Sequence, residues 1–330
     1  MNSLTSNADL SPTGAPAPIT RLFGWITLAV LAAFFVNNIL IVGYEFPSPG
    51  QIGQGDGRVY VILAIYVIAV LGATAYVLRS PNTALRWEAR KINRFNAYLI
   101  RGCFFTILFT GIVDGMIAFL RVEGFLESLF SEQTAKDLIR ARFIGPYIHV
   151  PLAILGFIVA FFSRTLGFIW LTLLIVGAEL LLVISRFVFS YEQALMGDLV
   201  RYWYAAIFLF ASAYTLLEEG HVRVDVFYAG LNPRRKGRVN AHGSILLGMT
   251  TCWVIILVAM GSSQAIVNSP IKNFEVSQTG TAGMYIKYQM AAFLAVFAIT
   301  MLIQFVSYLF ESTADMRDEP GRIKREPVAH

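Results

Sequence analysis

Charge is scarce in this chain: Asp, Glu, Lys and Arg make up 14% of its 330 residues, against 56% hydrophobic residues. An ordinary soluble domain is about one quarter charged. Mean hydropathy is +0.62, and a water-soluble core of this size could not absorb so much apolar surface. Cysteine is nearly absent as well. Cys103 and Cys252 both lie inside apolar segments, with no metal-ligand spacing and no disulfide framework. They read as small apolar packing residues. The first twenty residues hold no cation, so the basic region of a secretory signal is missing. There is no Walker A pattern, no glycine-rich phosphate loop after a strand and no metal-ligand cluster. No pair of Gly/Pro-broken helices of the sort that builds a carrier's midplane site is evident.

What is present is a succession of apolar runs, each near the roughly 20 residues that a spanning helix needs. They cover about 22–42, 60–78, 96–120, 146–163, 166–189, 199–217, 239–261 and 285–310. The expected fold is therefore an all-α integral membrane protein of about eight transmembrane helices. Residues 1–20 read as a disordered tail, and residues 313–330 as a charged cytoplasmic tail. Leu126, Leu129 and Phe130 fall at i, i+3, i+4 and give an amphipathic stripe on a surface helix between helices three and four.

The net charge of +5 and pI of about 9.2 would suggest nucleic-acid binding in a soluble protein. Here the cations fall between apolar blocks, so they read as topology signals and no nucleic-acid partner is expected. Arg21, the Arg79–Arg94 cluster, Arg164, the His221–Arg238 loop and the tail all fall on one side when eight helices alternate. The positive-inside rule makes that side the cytoplasm. Both termini are then cytoplasmic, and the amphipathic helices lie on the periplasmic side.

Ionisable residues at membrane depth are few, with Asp114 and Glu179 the clearest. Each is a functional candidate by default. The reading favoured for both is a carboxyl group hydrogen-bonded to a neighbouring helix, because a coupling site needs several converging polar groups. Arg186 lies seven residues after Glu179 on nearly the same helical face, and is placed to snorkel to the headgroups.

Two stretches carry a family resemblance. Ser185-Arg186-Phe187-Val188-Phe189 is followed by Asp198-Leu199-Val200-Arg201-Tyr202, and Glu219-Gly220-His221-Val222-Arg223-Val224-Asp225 precedes the basic Pro233-Arg234-Arg235-Lys236. Together, over about Leu166–Ser312, they resemble the small membrane subunit of tripartite ATP-independent periplasmic (TRAP) transporters, the DctQ family. The chain departs from the family pattern at Leu195-Met196-Gly197, where a Trp is common, and at Met284-Tyr285-Ile286-Lys287, where a Pro is common. The resemblance divides the chain into an N-terminal four-helix membrane extension over 21–164 and a four-helix DctQ-like domain over 165–312. Phe274-Glu275-Val276-Ser277-Gln278 resembles the branch grouped with mannitol, chloroaromatic and 2-oxo-acid transporters.

The resemblance implies a non-enzymatic subunit of the bacterial inner membrane with no cofactor. It would brace a large DctM-like permease subunit and work with a periplasmic solute-binding protein. Uptake of an organic acid would be symport on an ion gradient, commonly Na⁺. Arg186, Asp198, Arg201, His221, Arg223 and Asp225 are then candidates for contact with the partner subunit or with membrane lipids. The alternatives are anchoring and topology alone, a self-sufficient secondary carrier, or a haem-binding anchor subunit using His149 and His242.

Overall fold

The computed structural model of the chain describes residues 11–164, 168–218, 228, 230–276 and 282–322. Among these the regular structure is helical, with one isolated antiparallel bridge between Thr13 and Thr83. Eight helices are long and apolar enough to cross a membrane. They are α1 (Pro18–Tyr44), α2 (Val59–Arg79), α3 (Leu85–Val122), the continuous rod Ala141–Phe162, α8 (Phe168–Phe189), α9 (Ala194–Glu218), the rod Pro233–Met260 and α13 (Lys287–Met316). The rod Ala141–Phe162 comprises α6 (Ala141–Ile144), a wide π-helical turn over Gly145–His149 and α7 (Val150–Phe162). The rod Pro233–Met260 comprises α10 (Pro233–Gly243), a second such turn over Ser244–Met249 and α11 (Thr250–Met260). Short helices α4 (Leu126–Leu129) and α5 (Glu132–Leu138) follow α3, and α12 (Asn268–Asn273) precedes α13.

The spans agree with the apolar runs, but several begin or end in charged sequence. α3 starts at Leu85, not near Asn96, and α13 continues to Met316. The reason is electrostatic. Arg86 donates to Glu311 at 2.6 Å and to Asp315 at 2.7 Å, so both helix ends carry their charges in compensated form. The expected tail over 1–20 is also partly ordered. The Gly14 amide donates to the Asn82 carbonyl at 2.7 Å, and the Ala84 amide to Pro12 at 3.0 Å.

The chain divides into two compact units. One contains residues 1–96, 215–256 and 301–330; the other contains 97–214 and 257–300. Each takes segments from both sides of the boundary near residue 165.

In the first unit, Gly24 of α1 lies against Phe310 of α13, where a Cβ would come within 2.4 Å of the ring. Gly237 and Gly248 meet α13 in the same way, at Ser312 and Phe305. Small residues let helices approach closely where no hydrophobic effect drives association. Ser307 of α13 donates to the Ala89 carbonyl at 3.0 Å, and Gln304 donates to Asn93 at 3.1 Å while accepting from Asn96 at 3.2 Å.

In the second unit, Gly111 of α3 makes room for Trp203 of α9, whose indole donates to the Ile107 carbonyl at 3.3 Å. Gly156 of α7 fits against Thr106 of α3. Phe210 of α9 packs edge-on against Phe104 of α3 and Phe293 of α13, with centroids 5.6 and 4.9 Å away.

Candidate functional site

The polar groups that converge at membrane depth lie in the second unit. On α3, Ile107, Thr110, Asp114, Ile117 and Arg121 recur at three- and four-residue steps, which puts them on one face. Thr110 and Asp114 are fully buried. Asp114 sits eight residues before the end of α3, about 12 Å along the axis.

Its carboxylate is held from two directions. Oδ2 accepts the Tyr285 amide at 2.7 Å. Oδ1 lies 3.3 Å from Nε2 of His149, without the alignment of a hydrogen bond, and both atoms are buried and otherwise unpartnered. Nδ1 of His149 is 2.7 Å from the Tyr288 hydroxyl, whose ring stacks on the imidazole at 5.9 Å between centroids. The Gln289 amide donates to that hydroxyl at 3.2 Å, and Tyr202 of α9 donates to the Gln289 carbonyl oxygen. Asp114, His149, Tyr288, Gln289 and Tyr202 thus form one polar chain through α3, the π-turn, α13 and α9.

The local sequence explains how His149 reaches this place. Pro151 has no amide proton to give the carbonyl four residues back, and its ring crowds that carbonyl. The rod widens there, and the Val150 amide bonds the Gly145 carbonyl five residues back. The turn inserts one extra residue and turns His149 inward, leaving it 2% exposed.

A short bent link, 283–286, closes the site. Met284, Tyr285 and Ile286 are buried. The Met284 amide donates to Asp198 at 3.2 Å, so two carboxylates, Asp114 and Asp198, cap successive amides ahead of α13. Carboxylates are favoured at a helix N-terminus, where unpaired amides and the helix dipole present positive charge. Arg121 donates to the Gly283 carbonyl at 2.5 Å and lies 4.0 Å over the Tyr285 ring. The Tyr285 hydroxyl donates to the Ile139 carbonyl at 2.8 Å. Burial pushes the Tyr285 phenol above its ordinary value; Arg121 opposes that shift and Asp114 adds to it.

Chemically the arrangement fixes the four elements in register through their buried polar groups.

Of the residues singled out from sequence, Asp114 and Asp198 are brought to this site. Arg201, on α9, is exposed. Glu179 is exposed on α8 and forms no pair with Arg186, which lies 3.6 Å from Glu192 instead. His221, Arg223 and Asp225 lie outside the described residues. His149, weighed only as a haem ligand, turns out to be Asp114's neighbour. Tyr202 was noted only as part of the Arg-Tyr motif, and Tyr288 and Gln289 were missed. The one signal that could have found the latter is their adjacency at the start of an apolar run.

Residues 173–311, under half of the chain, match the family model described as "Tripartite ATP-independent periplasmic transporters, DctQ component". The matched stretch includes both motif segments. No curated protein and no solved structure matches the chain.

Proposed function

We infer that the chain, which carries a DctQ component over residues 173–311, is the small membrane subunit of a tripartite ATP-independent periplasmic transporter. The family match carries this reading, and eight membrane-length helices are consistent with it. The subunit is non-enzymatic and braces a large permease subunit, to which a periplasmic solute-binding protein delivers the solute. Transport draws on an ion gradient, Na⁺ in the commonest case, and the solute is an organic acid. The membrane is the bacterial inner membrane, with both termini cytoplasmic by the charge bias of the connecting segments.

The N-terminal extension, residues 21–164, has a role in this reading. Asp114 and His149 belong to it, whereas Tyr202, Tyr285, Tyr288 and Gln289 belong to the DctQ-like part, residues 165–312. The buried polar chain supports the view that, within the second unit, the extension packs into the DctQ-like part instead of forming a tethered module. The His221–Asp225 segment is proposed as a contact with the large subunit or with lipid headgroups.

The test is to tag the chain in its own bacterium, solubilise it gently and identify what co-purifies. A large polytopic permease in stoichiometric amount is the expected result. A chain that comes alone and catalyses uptake in liposomes by itself would overturn the reading in favour of a self-sufficient carrier.

A further inference from the structure

Glu179 lies at the middle of α8, eleven residues from Phe168 and ten from Phe189, about 15 Å from either end. That is the centre of a hydrocarbon layer about 30 Å thick. Its side chain is exposed. Among the described residues it is the only carboxylate exposed in the central part of a membrane-length helix. A Glu side chain is too short to snorkel to either headgroup layer from that depth. An ionisable group facing lipid tails there is costly, and such groups are found facing protein or water.

The rest of α8 identifies the face. Its inward side is narrow: Leu171 and Ile175 are its only buried residues among the described side chains. Glu179 follows them at the same four-residue step and so borders that inward side, yet it is itself exposed; on its other flank Val176, Leu180, Val183 and Phe187 are 58, 58, 47 and 78% exposed. Arg186, one heptad beyond Glu179, lies on the same edge. The result is an exposed apolar stripe whose edge carries a carboxylate at mid-depth and a guanidinium near one end. Apolar residues alone would suit lipid; the carboxylate does not.

We propose that this stripe of α8 is the docking surface for a membrane-spanning helix of the large permease subunit, which places a neutral hydrogen-bond donor opposite Glu179. The proposal rests on the small-subunit reading above and names the surface that reading needs. A second copy of this chain is the poorer occupant. Two copies inserted in the same sense and related by a two-fold axis along the membrane normal would bring both Glu179 side chains to one depth. Two carboxylates meeting there would repel in a medium of low dielectric. A donor on a different polypeptide has no such conflict, and interhelical hydrogen bonds of this kind are a recognised source of association in lipid.

The test uses the complex isolated through the tagged chain. A photo-crosslinking amino acid is placed at Val176, Leu180 or Val183, and at the exposed Ile68 of α2 for comparison. Glu179→Gln and Glu179→Leu are compared with the parent chain for permease recovered. Expected are crosslinks from the α8 positions to the permease. Recovery should stay within about twofold for Glu179→Gln, which keeps the hydrogen-bonding capacity, and fall about three- to tenfold for Glu179→Leu. Crosslinks from α8 only to lipid, or only to a second copy of the chain, overturn the proposal while the permease still co-purifies. Undiminished recovery with Glu179→Leu overturns it as well. If the unmodified chain brings down no permease at all, the small-subunit reading itself has failed.

Discussion

Arg21 grips both oxygens of Glu88, with Nε at 2.7 Å from Oε2 and Nη2 at 2.8 Å from Oε1, and neither side chain has any exposure. The two residues are 67 positions apart, on α1 and α3. Arg21 also reaches Ser80, and the Tyr76 hydroxyl donates to Glu88 at 3.3 Å. Breaking such a pair from one side leaves a buried charge alone and costs about 3–5 kcal/mol. Replacing both partners with apolar residues of similar volume is nearly neutral by the same reasoning. Arg21→Met and Glu88→Leu should therefore each lower the thermal unfolding midpoint in detergent, and the double variant should recover most of the loss. A double variant as unstable as the singles would show that the pair is not the interaction lost.

Asp114→Leu removes the acceptor for the Tyr285 amide and strands His149. The expected loss is about 1–3 kcal/mol, the cost of an unpaired buried polar group. Asp114→Asn keeps an acceptor for Tyr285 and should lose less. Denaturant unfolding of the solubilised protein distinguishes them, and equal losses would mean that volume, not hydrogen bonding, matters at the site.

Tyr285 gives a signed pH effect. Its phenol is raised by burial above the ordinary 10.0. A group raised on folding favours the protonated folded state, so its contribution is complete below the unfolded value and is lost as pH rises through 10 and beyond. Tyr285→Phe removes the bond to Ile139, at a cost of about 1 kcal/mol at neutral pH. It should also flatten this residue's share of the alkaline decline in a stability-versus-pH series. An unchanged alkaline slope would assign the decline to other groups.

Gly156→Val probes a close approach of one helix to the backbone of another in the second unit. Even a Cβ would come within 2.5 Å of the Thr106 backbone nitrogen. Forcing the helices apart should cost about 1–3 kcal/mol or more. Gly177→Ala is the control, because nothing lies within 4 Å of a Cβ there. If Gly156→Val were as benign as the control, α3 and α7 would not be packed at that point.

The spans were legible in the sequence because lipid demands long uninterrupted apolar runs, and hydropathy reports that demand residue by residue. Their ends were not. Leu85–Asn93 looks like a basic connection, yet it is helix, because Glu88 finds Arg21 and Arg86 finds Glu311 and Asp315, partners 67, 225 and 229 positions distant. Periodicity carries no information about such pairings. The site was legible by half. Asp114 announces itself as a carboxylate in an apolar run. Its donor is a backbone amide 171 positions away, in a link that reads as the featureless start of a helix. Glu179 looked equivalent to Asp114 in sequence, and the difference between them is one of direction: Asp114 faces its own fold and Glu179 faces outward.

The wide turn at Gly145–His149 is, in effect, a register shifter built into the rod Ala141–Phe162. Each helical residue advances the azimuth by about 100°, so one residue absorbed by the turn re-aims everything on one side of it relative to the other. Closing the turn, by deleting one residue or by replacing Pro151 with a strong helix former, would leave composition and hydropathy almost untouched. It would nonetheless swing His149 off Asp114 or Gly156 off Thr106. For this protein the phase of a helix is as heritable a trait as its hydrophobicity, and a one-residue deletion there would be a graver change than many substitutions.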